Sequence, residues 1–319
     1  MNMKEIHVGT LLILIEWINI NKYSNINVRR IIMSLSDKQL EERKRGIFGS
    51  EASILEGCHY KCDLNWLWNV KTRRHSDSVP DLLILRMGHY MEPHVAEEYC
   101  KRTGNEVRFN NRTVWDKKHT YNDKPFMGGH IDRKVVGQNK ILECKISFTM
   151  NKWGKDGSCE VPPYYVSQIK HYCAVFGYND VDLAVMHMVH GPSFRVHSFH
   201  FTNEELVNYR DKAYEFWTYV VKDTEPPIGK GEGTKEMLRQ RYPMAETGVH
   251  TVANDNILEA INSYGGMKSA IRQMKTDQTE YSNQIIRHME VSESLLNPQG
   301  EEIATFKNDT KGVRRLTIK

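Results

Sequence analysis

The sequence predicts a mixed α/β (α+β) fold, in which helices flank a mixed central sheet and a helical appendage follows. Three observations predict it. Strand-like runs alternate with segments of helical periodicity between about residues 36 and 222. Residues 128–147, GGHIDRKVVGQNKILECKIS, have the pattern of a two-stranded hairpin. Beyond residue 255, apolar residues recur every three or four positions as far as Met289.

The elements follow one another in a simple order. We expect helices at about 36–45, 63–72, 82–103, 163–176 and 203–222. A further helix should begin at Ser50, whose side chain is a good N-cap. The strand-like runs are EVRF, RTVW, GGHIDRKVV, KILECKIS, VDLAVMHMV and SFRVHSFHF. These assignments divide the chain into an extension over 1–32, a main domain over 33–225, a linker over 226–254 and the appendage over 255–319.

The appendage leaves two arrangements open. Its apolar stripe is interrupted at Gly265 and Gly266, so one long helix and a helical hairpin both fit. The closing runs EIATFKND and GVRRLTIK are strand-like, and we expect them to pair.

Composition sets few limits on function. The chain has 319 residues, enough for a sizeable core, and its formal net charge of +4 does not select a partner. Six cysteines match no disulfide framework, which predicts a reduced, cytoplasmic protein. Cys58 and Cys62 near His59 leave a zinc or iron–sulfur site open, but no second cysteine pair completes it.

Residues 10–20 are apolar but too few to span a bilayer, so we expect no membrane partner. Met33 is an alternative first residue of the protein, in which case residues 1–32 are an extension without function.

The hairpin at 128–147 carries the strongest chemical signal. Gly137 and Gln138 suit a two-residue turn, and that turn places Asp132 directly opposite Glu143. Like charges so placed repel, and a hard divalent cation would neutralise them. Lys145 emerges on the same face, so the three residues form a candidate metal-and-water site for phosphodiester hydrolysis. The alternative is a solvated strand face.

Three further patterns add weight to a site of this kind. Glu92 lies within the apolar arc of helix 82–103, although Glu98 does so too. Gln168 and Tyr172 share a face of helix 163–176, where core packing is the simpler explanation. The run ERKRGIFGSEA at 42–52 joins cationic side chains to a helix start, which attracts anions, although an ordinary capped helix fits equally well.

Taken together, the motifs RKRGIFGSEA, GHYMEPHVAEEY, GGHID, ECKIS, WGKDG and EVPPYYVSQIKHYCAVFG resemble those of YqaJ-type viral recombinases. These are relatives of phage lambda exonuclease in the PD-(D/E)XK nuclease superfamily, and the resemblance covers about 36–230. It implies a PD-(D/E)XK nuclease core. It also implies roles for individual residues: metal ligation by Glu92, Asp132, Glu143 and the Cys144 carbonyl, water activation by Lys145, support by Gln168, and 5′-phosphate binding by Arg43 and Ser50. Tyr172, which shares a helix face with Gln168, is a further candidate for support.

The resemblance also implies an activity. We expect a Mg²⁺-dependent deoxyribonuclease, with Mn²⁺ able to substitute, that degrades one strand of linear duplex DNA 5′ to 3′. Its expected partners are DNA ends, a single-strand annealing protein that takes the 3′ strand in recombination, and further copies in a trimer. The expected location is the cytoplasm of a bacterial or infected host cell. Alternatives are an endonuclease, a junction resolvase, or a non-catalytic DNA-binding assembly protein.

Two positions depart from the family pattern. The family usually has a small residue where this chain has Phe48, so we expect Phe48 to narrow the phosphate pocket. A second glutamine is common where Lys170 stands, which changes the charge beside the active-site helix.

Overall fold

The computed structural model describes residues 37–75, 83–110, 112–189 and 191–319. The described residues divide into two compact units, of which the first ends at Pro243 and the second spans Met244–Lys319. The predicted extension over 1–32 and the apolar segment 10–20 lie outside the described residues.

The first unit alternates helices and strands. Its helices are α1 (Asp37–Lys44), α2 (Ala52–Leu55), α3 (Leu64–Lys71), α4 (Leu83–Thr103), α5 (Pro163–Phe176), α6 (Asn203–Val221) and α7 (Glu232–Arg241). Its strands are β1 (Val107–Phe109), β2 (Val114–Trp115), β3 (Thr120–Tyr121), β4 (Lys124–Pro125), β5 (Gly128–Gly129), β6 (Arg133–Val135), β7 (Lys140–Ser147), β8 (Asp180–Met188) and β9 (Pro192–His200). The mixed α/β fold is therefore confirmed.

The central sheet has the strand order β1-β6-β7-β8-β9. Only β7 and β8 pair in parallel, and α5 provides the crossover between them, as a parallel pair requires. The other neighbours in this sheet are antiparallel. Strand β7 lies in the middle of this sheet, and most of its residues are buried.

Alternation along β7 sends side chains to two different layers. Leu142 and Cys144 pack with Val95 and Tyr99 of α4 on one face. Ile141 joins the larger core cluster on the other face, which includes Ile169 of α5. Because Glu143 and Lys145 follow Ile141 at a period of two, they point to the α5 side.

Three boundary predictions are wrong. The run GGHIDRKVV is divided between β5 and β6. Ser50 is not an N-cap, because it lies inside a 3₁₀ turn, Gly49–Glu51, where the Glu51 carboxylate accepts the Phe48 N–H at 3.0 Å. Residues 226–254 are not only linker, since α7 lies within them and buries Met237.

The second unit joins one long helix to a small sheet. Helix α8 (Asp255–Met289) runs through Gly265 and Gly266 without interruption, which selects the single helix over the hairpin. Strands β11 (Glu302–Asn308) and β12 (Arg314–Ile318) pair as predicted, and β10 (Ser294–Leu296) adds a third strand that the sequence did not reveal. Most of the apolar stripe of α8 is exposed, and Met289 at its end is buried.

The cysteines carry reduced thiols in this structure. The Cys58 thiol lies 3.2 Å from the Ser167 hydroxyl, and His59 accepts the Cys62 N–H at 2.8 Å. Across the described ranges, no helix is long and apolar enough to cross a membrane.

Candidate active site

The hairpin of β6 and β7 brings Asp132 and Glu143 together. Arg133 pairs with Leu142 and Lys134 with Ile141, so one further step places Asp132 opposite Glu143, the register that the sequence predicts. Gly137 in the turn has φ of 76°, a conformation that favours glycine. Asp132 accepts the Cys144 N–H at 2.8 Å, which fixes its carboxylate beside β7.

Glu143 is a buried carboxylate. The residue is only 1% exposed, so the solvated strand face is not its environment. Burial and the neighbouring Asp132 raise the pKa of Glu143 to about 8. Its Oε2 atom has no hydrogen-bond partner among the residues that the structure describes. A buried oxygen without a partner is costly, and a cation would both pair with it and keep the carboxylate ionised.

Lys145 lies beside this carboxylate. Its Nζ donates to Glu143 Oε1 at 2.5 Å. Burial disfavours its charge, but the carboxylates of Glu143 and Asp132 outweigh that effect and raise its pKa. The ammonium group therefore stays charged next to the carboxylate pair.

The Cys144 backbone completes this end of the strand. In a β-strand the N–H and C=O of one residue point to the same side. Because the Cys144 N–H points to Asp132, its carbonyl points to the same side, beyond the end of β6. That carbonyl therefore points away from β8.

Glu92 reaches the site from α4, and its partner was not foreseen. Arg133 Nη1 donates to Glu92 Oε1 at 2.5 Å and to the Asp132 carbonyl at 2.6 Å. Burial and Asp132 raise the pKa of Glu92, while Arg133 opposes that shift. The only sequence signal for Arg133 is its position directly after Asp132.

Helix α5 covers the site with Gln168 and Tyr172. Gln168 Nε2 donates to the Tyr172 hydroxyl at 2.9 Å, so the two predicted neighbours do contact each other. Burial, and then the charge of Glu143, raise the pKa of the Tyr172 hydroxyl. The phenol therefore stays protonated and can donate a hydrogen bond towards the carboxylates.

Arg43 and Ser50 also lie together. Arg43 Nη2 donates to Ser50 Oγ at 2.8 Å, and its guanidinium lies 3.5 Å from Glu51. Lys71 donates to Glu51 at 2.7 Å and to the Arg43 carbonyl at 2.6 Å. This buried ion pair holds the backbone of Arg43 in place, while Ser50 remains exposed.

Gly49 connects the Arg43–Ser50 pair to the carboxylates. A Cβ at this position would lie 2.5 Å from the Tyr172 ring, so only glycine allows this approach. Ser50 is therefore the immediate neighbour of a residue that touches Tyr172. The two groups of predicted residues form one continuous surface along α5.

The two departures from the family pattern point away from this surface. Phe48 packs edge-on against Trp115 with ring centroids 5.4 Å apart, and a Cβ at Gly128 would lie 2.9 Å from its ring. The Phe48 ring therefore lies beside strand β5, which consists of Gly128 and Gly129, rather than beside the Arg43–Ser50 pair. Lys170 pairs with Glu56 at 3.1 Å.

The carboxylates are close but are not converged on one point. No group of three His, Cys, Asp or Glu side chains in the described part of the chain is already arranged to hold a metal ion. Each acid instead has a local partner: Arg133 for Glu92, the Cys144 N–H for Asp132, and Lys145 for Glu143. The oxygen chemistry and the unpaired Glu143 Oε2 nevertheless fit a hard divalent cation. Among the described residues, Cys58, His59 and Cys62 do not form such a group either.

Comparison with solved structures finds exonucleases that are partly similar to this chain. The alkaline exonuclease LHK-Exo from Laribacter hongkongensis has 15% sequence identity and a TM-score of 0.46, covering 65% of this chain and 98% of that one. Its complex with dAMP gives a TM-score of 0.48 at 15% identity, covering 66% and 100%. A phage-related exonuclease from Haemophilus somnus 129PT has 9% identity and a TM-score of 0.41, covering 56% and 96%.

Sequence comparison finds similarity to one relative and to one family model. The protein YqaJ from Bacillus subtilis (strain 168) is 29% identical over 263 residues, which cover 81% of this chain and 79% of YqaJ. Residues 38–179, which carry Glu92, Asp132, Glu143 and Lys145, match the sequence model of the YqaJ-like viral recombinase domain. This part of the chain is therefore similar to the YqaJ-like viral recombinase domain, which agrees with the resemblance of its motifs.

Proposed function

We propose that the chain is a divalent-metal-dependent deoxyribonuclease that removes nucleotides from an end of linear duplex DNA. One observation carries the proposal: Glu143 is buried with an unpaired oxygen, opposite Asp132 and beside Lys145. A structural ion pair would satisfy both of its oxygens. An unsatisfied buried carboxylate in a pair of acids is instead typical of a site that binds a cation.

The residues have separate roles in this proposal. Glu92, Asp132, Glu143 and the Cys144 carbonyl would hold Mg²⁺, or Mn²⁺ in its place. The cation, when bound, supplies Lewis-acid stabilisation of the phosphate and a water of lowered pKa. Lys145 keeps its charge and positions the attacking water, and Gln168 holds the Tyr172 hydroxyl towards the acids. Arg133 keeps Glu92 turned towards Asp132.

The end of the DNA is recognised at Arg43 and Ser50. A terminal phosphate is a dianion, and a guanidinium with an adjacent hydroxyl provides charge-assisted hydrogen bonds to it. The buried ion pair of Glu51 and Lys71 holds the backbone of Arg43 in place. Because the pair adjoins Tyr172 through Gly49, a bound 5′ phosphate lies next to the site of cleavage, which favours degradation from 5′ to 3′.

The annealing partner, the oligomeric state and the location are proposed from the family resemblance. The 3′ strand left by the reaction is passed to a single-strand annealing protein in phage-type recombination. The chain acts as a homo-oligomer, a trimer by family resemblance, in the cytoplasm of a bacterial or infected cell. The spacing of the six cysteines, which matches no disulfide framework, supports a reducing compartment.

One experiment tests the reaction and its end dependence together. Purified protein and Mg²⁺ are incubated with the same duplex as a linear molecule with 5′ phosphate, a linear molecule with 5′ hydroxyl, and a closed circle. We expect fast release of 5′ nucleotides from the first, slower release from the second, and no cleavage of the third. Arg43→Ala should remove the preference for phosphate, whereas Arg45→Ala, an exposed neighbour, should keep it.

All arms of that experiment use one salt concentration, because phosphate attraction depends on salt. Equal rates on both linear ends would contradict the assignment of Arg43 and Ser50. Rapid cutting of the closed circle would favour an endonuclease.

A further inference from the structure

Aromatic rings continue from Lys145 towards the surface, away from Arg43. The ring centre of Tyr165 lies 5.5 Å from Lys145 Nζ, and Tyr164 lies 4.4 Å from Tyr165 with the rings tilted by 57°. Tyr60 is close enough to Tyr164 to act electrostatically on its hydroxyl, and its own ring stacks on His59 at 4.6 Å. We call Tyr165, Tyr164 and Tyr60 the aromatic row.

The aromatic row lies at the opposite end of the active-site helix from the Arg43–Ser50 pair. Tyr165, Gln168 and Tyr172 follow one another at three and four residues, so they share one face of α5. At 1.5 Å per residue, the backbone at Tyr165 is about 10 Å from that at Tyr172. Tyr172 touches Gly49 beside Ser50, and Tyr165 touches Lys145. The acids therefore lie between a phosphate-binding pair and a row of rings.

Core packing does not explain the outer part of this row. Tyr60 is 82% exposed and belongs to none of the core clusters. Trp153 lies 5.4 Å from Tyr165 and supports the inner end; Tyr165 and Tyr164 are half-buried, and Tyr60 at the outer end is exposed. Large rings that leave a face open to solvent beside a cationic group are suited to stacking on bases.

We propose that the aromatic row stacks the unpaired bases of the strand being cut, on the side of the scissile phosphodiester away from the 5′ end. This inference rests on the proposed nuclease function and adds a single-strand subsite to it. Separating bases from their duplex partners removes base stacking, and the tyrosine rings replace part of it. Because every base has a π face, the subsite accepts any sequence, as an enzyme that degrades a whole strand requires.

Binding without cleavage tests the subsite directly. The probe is a 5′-phosphorylated single-stranded oligonucleotide with 2-aminopurine at the second to fourth nucleotides, titrated in EDTA. Stacking on the row should quench the 2-aminopurine fluorescence of the wild-type complex. Tyr60→Ala and Tyr164→Ala should each weaken binding by about 5-fold or more and restore fluorescence, the range expected for one lost base–aromatic stack.

Conservative variants separate stacking from hydrogen bonding. Tyr60→Phe and Tyr164→Phe should bind within about 2-fold of wild type, since the ring is kept. Tyr242→Ala is the matched control, because Tyr242 is 69% exposed but lies after α7. In cleavage assays with Mg²⁺, Tyr60→Ala should raise KM with little change in the single-turnover rate at saturating DNA.

The outcomes distinguish this inference from the function on which it rests. Wild-type cleavage together with alanine variants that bind like Tyr242→Ala overturns the subsite and leaves the nuclease function standing. Phenylalanine variants that lose as much as the alanine variants also overturn it. Wild-type protein that binds the probe but cleaves no DNA overturns the proposed function itself, and with it the assignment of the bound strand. Tyr60→Ala keeps the test valid if Tyr164→Ala unfolds, because its side chain is exposed.

Discussion

The buried carboxylate of Glu143 makes metal binding depend on pH. Its raised pKa of about 8 means that protons compete with a cation for this carboxylate at and below neutral pH. A carboxylate with a raised pKa loses its proton only as pH rises through that value, and cation binding needs the ionised form. Affinity for Mg²⁺ or Mn²⁺ should therefore rise about tenfold per pH unit below pH 8, level off above it, and be lost as pH falls.

The expected size of the effect can be estimated. Between pH 6 and pH 9 the ionised fraction rises about 90-fold, and apparent affinity should rise by a similar factor. At a concentration 100 times Kd, a bound cation stabilises the folded state by about 2.7 kcal/mol. For a domain of this size that corresponds to a rise in Tm of about 5–10 °C.

Thermal unfolding and calorimetric titration at pH 6, 7, 8 and 9 measure this dependence. Glu143→Gln should lose most of the metal-induced rise in Tm at every pH. Glu98→Gln, on the same helix as Glu92, is the matched control and should respond like wild type. A metal response that is equal at pH 6 and pH 9, or one that survives in Glu143→Gln, would refute the reasoning.

Three further predictions concern the surroundings of the site. Lys145→Ala should slow single-turnover cleavage by about 10²- to 10⁴-fold while keeping the metal-induced rise in Tm, and unchanged kinetics would make Lys145 a structural charge. Gly49→Ala should displace Tyr172, because the new Cβ would lie 2.5 Å from its ring, and we expect the free energy of unfolding in urea to fall by about 1–3 kcal/mol. Gly88→Ala is the control: its new Cβ would meet open space, so the free energy of unfolding should not fall. Lys71→Ala should cost about 3–5 kcal/mol in the same assay by removing the nearest cation from the buried Glu51 charge, and a cost below about 1 kcal/mol would show that the pair is not needed.

Local rules explain why much of the fold was predictable. The turn at Gly137 fixes the hairpin register, and that register alone places Asp132 opposite Glu143. Helix α5 begins at Pro163, which suits the first helical position, and is followed by Gly177 in the left-handed conformation. Such signals are contained in neighbouring residues, so no tertiary information is needed to read them.

Other features depend on contacts between distant segments. Ser50 looked like an N-cap, but Glu51 supplies the contact, and Lys71, twenty residues away, holds Glu51 in place. The start of α7 depends on Asp63, which accepts the Gly231 N–H at 2.8 Å, so a segment rich in glycine is fixed from outside. No sequence pattern specifies these partners.

The choice between Glu92 and Glu98 was open for the same reason. Both lie within the apolar arc of α4, and helical periodicity cannot separate them. In the structure, Arg133 on a different element donates to Glu92 and to the Asp132 carbonyl, a contact that helical periodicity cannot reveal.

Asp132→Asn gives the most direct test of the proposed catalytic centre. The change keeps the size of the side chain and the oxygen that accepts the Cys144 N–H, but removes the charge opposite Glu143. Asp123→Asn is the control, since Asp123 is exposed and in a left-handed conformation that asparagine tolerates. On linear duplex with Mg²⁺, we expect Asp132→Asn to release no nucleotides while its affinity for the DNA end stays within a few-fold of wild type, and Asp123→Asn to be fully active. Full activity of Asp132→Asn, or of wild type in excess EDTA, would contradict the assignment of these acids as a metal-dependent nuclease centre.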